Sequence, residues 1–250
     1  MAKLKELVLF LDKYLDNSKF EDDSWNGLQI EGLDNVKKIA FCVTAGLDVF
    51  KEAKKQGADM IVAHHGIFWK KADPSMKGWM KDRVSFLLDN DISFYTSHLP
   101  LDAHPKSGNN AQLMKILGVE IKDSMGSYGG QSIGWIGERS PISVEEIVKK
   151  LEKTIDSKPI ILKRGKNKIK RIAIVSGGAP FLVFEAIKKE ADLFITGDAA
   201  DILEVVKDAK INVIFAGHYA TETTGVKALA DVVKKKFKVK TFFIDAPTGL

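Results

Sequence analysis

Apolar positions along this chain follow two rhythms. Short, nearly continuous runs such as IAFCV (39–43), MIVA (60–63), SFYT (93–96), IAIV (172–175), LFIT (193–196) and INVIF (211–215) are rich in β-branched and aromatic residues. They predict strands buried on both faces, as in a parallel sheet covered by helices. Between them, apolar residues recur at helical spacing. MAKLKELVLFLDKYLDN mixes Lys, Glu and Asp into such a pattern and predicts an N-terminal amphipathic helix. SVEEIVKKLEKTI (143–155) predicts another, with Ser143 as cap and Glu146 at the capping-box position. GNNAQLMKILG starts a third, with Asn109 or Asn110 able to cap it. PIILKR and KTFFID read as further strands, and residues 211–237 as a strand followed by a helix.

The pattern repeats. KKIAFCVTAGLDVFKEAKKQGADMIVAHHG (37–66) aligns without a gap on KRIAIVSGGAPFLVFEAIKKEADLFITGDA (170–199). Lys37, Ile39, Ala40, Glu52, Ala53, Lys55, Ala58 and Asp59 match Lys170, Ile172, Ala173, Glu185, Ala186, Lys188, Ala191 and Asp192. Each copy parses as strand, small-residue turn, helix, loop, strand, which is a β-α-β unit. The chain is therefore expected to be α/β, with two related subdomains built on mostly parallel sheets flanked by helices. The first would comprise residues 1–125 and 210–250, since metal-type residues in the tail imply that it packs back against the first half. The second would comprise residues 126–209.

Composition narrows the function classes. A content of 45% hydrophobic and 28% charged residues is that of a globular protein. No apolar run is long enough to span a bilayer, and the N-terminus lacks a signal-peptide core. The single cysteine, Cys42, lies in an apolar run and reads as a small buried hydrophobe. A cytoplasmic location without membrane contact is the expectation. The net charge of +5 concentrates in KRGKNKIKR (163–171) and KKKFKVK (234–240). Both suit solvated surfaces, and either could meet the phosphates of a nucleic acid.

The five histidines carry the chemistry. His64 and His65 end a strand. His98 and His104 flank Asp102 in SHLPLDAHP, where Pro100 and Pro105 stiffen what reads as a loop. His218 and Glu222 stand at i and i+4, on one face of a starting helix. Ligands gather at the carboxyl ends of strands in α/β sheets. Imidazole nitrogens and carboxylate oxygens together suit zinc, iron or manganese. His64, His65, Asp102, His218 and Glu222 exceed what one catalytic zinc uses and suit two divalent ions. His98 is the candidate proton carrier, with orientation of Asp102 as its other reading. Trp25 or Phe68 could stack on a base, or belong to the core. SGGAP (176–180) lacks a P-loop's Lys-Ser/Thr tail and reads as a tight turn or an anion-accepting helix start. Asp198 is read as facing the same cleft as the metal-type residues.

DSWNGLQIEG (23–32), ADMIVAHHGIFW (58–69), SHLPLDAHPKSGNNAQL (97–113), DLFITGD (192–198) and AGHYATE (216–222) resemble the signature blocks of the Ngg-interacting-factor-three-like family. Its bacterial and archaeal members often carry the label GTP cyclohydrolase I type 2. The resemblance runs over essentially the whole chain, in the short form without an inserted domain. It implies two metal ions per chain on His64, His65, Asp102, His218 and Glu222. It also implies a toroidal homohexamer, a trimer of dimers. One departure is Asp198, where relatives can carry Glu. A metal-dependent hydrolase acting on a nucleotide through metal-activated water is one expectation. A nucleic-acid-binding ring or scaffold is another, and a metallochaperone or partner-binding regulator is a third.

Overall fold

At the N-terminus, Ala2–Lys3 (β1) leads into α1 (Leu4–Leu15), whose Leu4, Leu7, Leu11 and Leu15 are buried at helical spacing. Next come β2 (Gly27–Ile30), β3 (Asn35–Val36), which pairs with β1, and β4 (Lys38–Cys42). Then follow α2 (Leu47–Lys55), β5 (Met60–Ala63), α3 (Trp79–Asp89) and β6 (Ser93–Thr96). The central part holds α4 (Leu99–Ala103), α5 (Asn109–Leu117), β7 (Glu120–Tyr128), β8 (Gln131–Ser143), α6 (Val144–Ile155), β9 (Ile160–Leu162) and β10 (Lys168–Val175). A short 3-10 turn, Pro180–Leu182, precedes α7 (Val183–Lys188), β11 (Leu193–Thr196), α8 (Leu203–Asp208) and β12 (Asn212–Phe215). The chain closes with α9 (His218–Phe237) and β13 (Lys240–Phe243). This computed structural model describes residues 1–249.

The chain divides into two units, Met1–Leu101 with Val226–Ala246, and Asp102–Gly225 with the residues from Pro247. In the first, a five-stranded sheet runs β13-β4-β5-β6-β2, parallel except for β2. Its core joins Phe50 and Ala53 of α2 to Ile61 and Phe94 of the sheet. In the second, a six-stranded sheet runs β7-β8-β10-β11-β12-β9. Only β10, β11 and β12 are mutually parallel there; the β7–β8 hairpin and β9 pair antiparallel. Leu113, Ile147, Leu151, Ile174 and Ile195 pack its core.

The repeat is a structural one. β4-α2-β5 and β10-α7-β11 are the matching units. The matched Asp59 and Asp192 do the same work in each: Asp59 Oδ2 accepts the backbone N–H groups of Lys37 and Lys38 at 2.7 and 3.0 Å, and Asp192 Oδ2 those of Lys170 and Arg171 at 3.0 Å each. Each carboxylate thus pins the start of one strand to the start of its parallel neighbour. After the helix, Gly57 and its counterpart Glu190 both take positive φ, 74° and 56°. The chain must turn left-handed there in both copies, and glycine does so with less strain.

The division falls at 101/102 and 225/226, whereas the sequence pattern suggested 125/126 and 209/210. The β7–β8 hairpin accounts for the first difference. Its strands carry nine and thirteen residues, and α5 packs Leu113, Met114 and Leu117 into the same core, so residues 102–125 join the second unit. The second difference follows from β12, which lies between β11 and β9 in the second sheet. The tail returns to the first unit only along α9, which begins in the second unit and ends in the first. The Ser143–Glu146 capping box forms as expected. Neither Asn109 nor Asn110 caps α5: Gly108 is the N-cap, without a side-chain bond.

Gly225, inside α9, shows why packing outranks helix propensity. A Cβ there would lie 2.5 Å from the Asn109 backbone nitrogen and 2.6 Å from its Oδ1. Alanine would gain about 1 kcal/mol in helix propensity. The clash is with backbone, so overpacking of about 1–3 kcal/mol prevails. Gly225→Ala is expected to lower the thermal midpoint; an unchanged or raised midpoint contradicts this packing.

Candidate metal centre

Both units place metal-type side chains where parallel strands end. In the first unit, β5 delivers His64 and His65. The backbone N–H of His64 donates to Cys42 O at 3.1 Å, and that of His65 to Val43 O at 2.8 Å, so the ladder continues past the strand and holds both residues. Thr96 Oγ1 donates to His64 O at 2.9 Å. His64 is fully buried, with Nδ1 3.1 Å from Ser97 O. A carbonyl only accepts, so Nδ1 carries the proton and Nε2 presents the lone pair a metal needs.

His98, after β6, completes a group of three imidazoles. Ring centroids lie 4.8 Å apart for His64–His65, 5.1 Å for His64–His98 and 5.5 Å for His65–His98. One donor nitrogen from each lies within 4.8 Å of the others, so the group could hold a metal ion. His98 is set by Asp22, whose Oδ1 lies 2.9 Å from its Nδ1. Asn26 Oδ1 accepts the His98 backbone N–H at 2.8 Å, and Asn26 Nδ2 donates to Asp22 Oδ2 at 2.9 Å. Burial pushes the Asp22 carboxyl up, but the hydrogen bond and charge of His98, with Asn26 and the Ser24 N–H, outweigh it and bring it down to about 2. His98 is thus oriented by Asp22.

In the second unit, Asp102 lies within α4, a short helix where the two prolines suggested a loop. It is 5% exposed. Its Oδ1 accepts from Asn109 Nδ2 at 2.8 Å and Ser176 Oγ at 2.9 Å. The two asparagines expected to cap α5 serve this network instead: Asn110 Oδ1 accepts the Ser176 N–H at 2.6 Å, and Asn109 Oδ1 that of Gly225 at 2.8 Å. His104 caps a turn, its Nδ1 accepting the backbone N–H groups of Lys106 and Ser107 at 3.2 and 3.0 Å.

At the start of α9, His218 Nε2 meets Glu222 Oε1 at 3.1 Å, and its Nδ1 meets Asp198 Oδ2 at 3.0 Å. Asp198 occupies the repeat position of His65, and here it positions a histidine rather than replacing one. SGGAP supplies the room. Gly177 has φ +66°, and a Cβ on it would lie 2.3 Å from Glu222 Oε1; one on Gly178 would lie 2.9 Å from Asp198 Oδ2. The turn reading of SGGAP holds, and its small residues let the backbone pass beneath these carboxylates. The Glu222 hydrogen bond raises the His218 imidazole, burial opposes, and the charges of Glu222 and Asp198 add, bringing it to about 9.

The donor chemistry fits divalent metal: neutral imidazole nitrogen, buried carboxylate oxygen, and partners that fix the tautomer and the carboxylate. Comparison with known proteins places the chain. The model of the DUF34/NIF3 (NGG1p interacting factor 3) family matches residues 2–249. The chain belongs to the DUF34/NIF3 family. A Pyrococcus horikoshii relative named GTP cyclohydrolase 1 type 2 homolog is 47% identical over 98% of both chains. An Escherichia coli K12 relative of the same name is 34% identical over 98% of both. Among solved structures, the structural-genomics protein ybgI, described as of unknown function, aligns with TM-score 0.93 at 33% identity over 100% of both chains. A protein of Thermus thermophilus gives 0.91 at 35% identity, also over 100% of both.

Cys42 is buried and its thiol is pushed up to about 12 by that burial, so it stays a hydrophobe. No helix among the described residues is long and apolar enough to cross a membrane. In the first basic stretch, Lys163 pairs with Glu145, Lys166 with Asp192, and Lys170 and Arg171 with Glu138.

Two pH effects follow for the metal-free protein. Asp22 has a folded value below the ordinary 3.8. Its contribution of about 2 kcal/mol is present above that value and lost as pH falls through about 2. Asp22→Asn is expected to lower stability at neutral pH and flatten the acid limb of a thermal-midpoint profile; an unaltered limb contradicts the pairing. His218 has a folded value above the ordinary 6.5, so its stabilisation is full below 6.5 and lost as pH rises through about 9. Glu222→Gln is expected to bring the His218 titration, followed by NMR, back toward 6.5; an unmoved titration contradicts the ion pair.

Proposed function

We propose that the protein binds two divalent metal ions through His64, His65, Asp102, His218 and Glu222 and acts as a metal-dependent hydrolase. The observation that carries this reading is the histidine group at the end of β5, with the His64 tautomer fixed by Ser97 O so that Nε2 is presented as a donor. The Asp102 and His218–Glu222 sets support it with buried carboxylate oxygens and a half-buried imidazole, each held by dedicated partners. The names of the curated relatives, GTP cyclohydrolase 1 type 2 homolog, support a nucleotide or related compound as substrate.

Bound at these residues, a divalent ion supplies Lewis acidity and a water activated for attack near neutral pH. The chain's own residues do the rest. His64 and Asp102 hold fixed donor orientations. His98 takes and returns a proton at Nε2, while the ionised Asp22 carboxylate keeps the Nδ1 proton in place and stabilises the imidazolium. The assembly proposed with this reading is a homohexamer, a trimer of dimers, open to test by light scattering.

Elemental analysis of the purified protein, paired with turnover on GTP and a panel of nucleotides and phosphoesters, tests the reading. About two ions per chain and turnover lost in His64→Ala and Glu222→Ala are expected. His98→Ala is expected to keep both ions and lose turnover by about 100-fold or more. Loss of an ion in His98→Ala would make His98 a ligand. Fewer than one ion after reconstitution would overturn the metal assignment, and bound ions without turnover on any substrate would overturn the hydrolase. A nucleic-acid-binding role draws on Lys234, Lys235 and Lys236 at the end of α9. The ion pairing in the first basic stretch leaves it with less support, and salt-sensitive DNA binding lost on charge reversal at those lysines would favour it.

A further inference from the structure

Beside the histidine group, within the first unit, lies a pocket of about 400 Å³ with an aromatic wall. Trp25, Phe68 and Trp69 line it, Leu28, Ile67 and Met80 add apolar surface, and Asp73 is the one charged residue among those that line it. Its volume lies within the range of small-molecule sites. We propose that this pocket is a binding subsite for an uncharged planar N-heteroaromatic ring, seated against the Trp25 indole.

Three observations carry this. Trp25 is 57% exposed, and an indole left so open beside a pocket forgoes burial it would gain against a ligand. Its mount is rigid nonetheless. The Trp25 backbone N–H donates to Phe68 O at 3.2 Å. Gln29 Nε2 donates to Trp25 O at 2.7 Å, and Gln29 Oε1 accepts the Ile67 N–H at 2.8 Å. Trp69 Nε1 donates to Gly66 O at 3.0 Å, and a Cβ at Gly66 would lie 2.5 Å from Gln29 Nε2, so the pocket's frame depends on that glycine. A backbone mount and a Trp69 ring fixed before binding lose little freedom on binding. Finally, the pocket adjoins the proton carrier: the Trp69 ring centroid is 5.2 Å from that of His98 and 6.2 Å from that of His65.

The electrostatics restrict the occupant. The lining holds no cation, and Asp73 is a carboxylate kept ionised by Ser75 and Lys77. With no cation in the lining to receive an anion, and Asp73 already paired with Lys77 at 3.5 Å, the phosphates of a nucleotide would lie outside and only its ring inside. Asn26 and Gln29 already spend their amide groups on Asp22, His98, Trp25 and Ile67. Stacking and shape therefore dominate recognition, and the subsite would accept several rings of similar size.

The subsite gives the proposed hydrolase its substrate class and rests on that reading for its catalytic meaning; ring binding itself can be measured without metal. The experiment is a ligand-observed NMR titration of metal-stripped protein with guanosine, adenosine and neopterin, with methyl ribofuranoside as the control lacking a ring. Saturable binding of the ring compounds but not the control is expected. Affinity should fall about tenfold or more in Trp25→Ala and be largely kept in Trp25→Phe. Ala72→Trp, on an exposed segment of the lining, should abolish binding by filling the pocket without threatening the fold. No saturable binding of any ring, or equal affinities in wild type, Trp25→Ala and Ala72→Trp, overturns the subsite. Ring binding that persists while the metal-loaded protein turns over nothing overturns the hydrolase and leaves the subsite standing.

Discussion

Asp102 and Glu222 are carboxylates at 5% and 2% exposure, and His64 is an imidazole fully withdrawn from water. Removing a carboxylate's charge from water costs several kcal/mol unless an opposite charge and hydrogen bonds replace the hydration. Every local arrangement around these side chains answers that demand. Asn109 and Ser176 hold Asp102, the His218 ring stands against Glu222, and Ser97 O fixes His64. The raised His218 value is the same demand met by a proton. A divalent cation meets it with more charge, which is why metal uptake at such a site releases protons and strengthens as pH rises.

The fold supplies the places where this is possible. Parallel strands leave their carboxyl ends facing loops, and both copies of the repeat put their chemistry there. The two copies then diverge at two aligned residues. In the first unit they are His64 and His65, part of a group of imidazoles that could hold a metal ion. Gly197 and Asp198 in the second unit leave room and orient a histidine contributed by α9. Keeping the Asp59 and Asp192 clamps while changing the strand ends lets one scaffold carry two different roles.

Much of this was legible in the sequence. Continuous apolar runs marked the buried strands, the ungapped repeat marked the β-α-β units, and His64 and His65 were legible as a pair at a strand end. What escaped depends on distance in the chain rather than pattern. Asp22 lies seventy-six residues from His98, and no local spacing links them; the EDDSWN stretch offered only an acid beside an asparagine. Asn109 and Asn110 looked like caps because capping is their local habit, and a tertiary partner, Asp102, claimed them instead. Pro100 suggested a loop, yet proline is tolerated in the first turn of a helix, where its missing N–H has no intrahelical role. The unit boundaries were displaced because a long antiparallel hairpin adds to a sheet that the repeat alone shows as parallel. Trp25 was readable as an aromatic residue that could stack or pack; its exposure beside the pocket came only with the fold.

The proposed function requires two metal ions on these named residues. Anomalous X-ray scattering from crystals of metal-loaded protein, collected on both sides of the metal's absorption edge, addresses it without reference to any substrate. Two anomalous peaks per chain are expected, with His64, His65, Asp102, His218 and Glu222 supplying the protein ligands. Peaks bound by other residues, or none at these five after full loading, would contradict it.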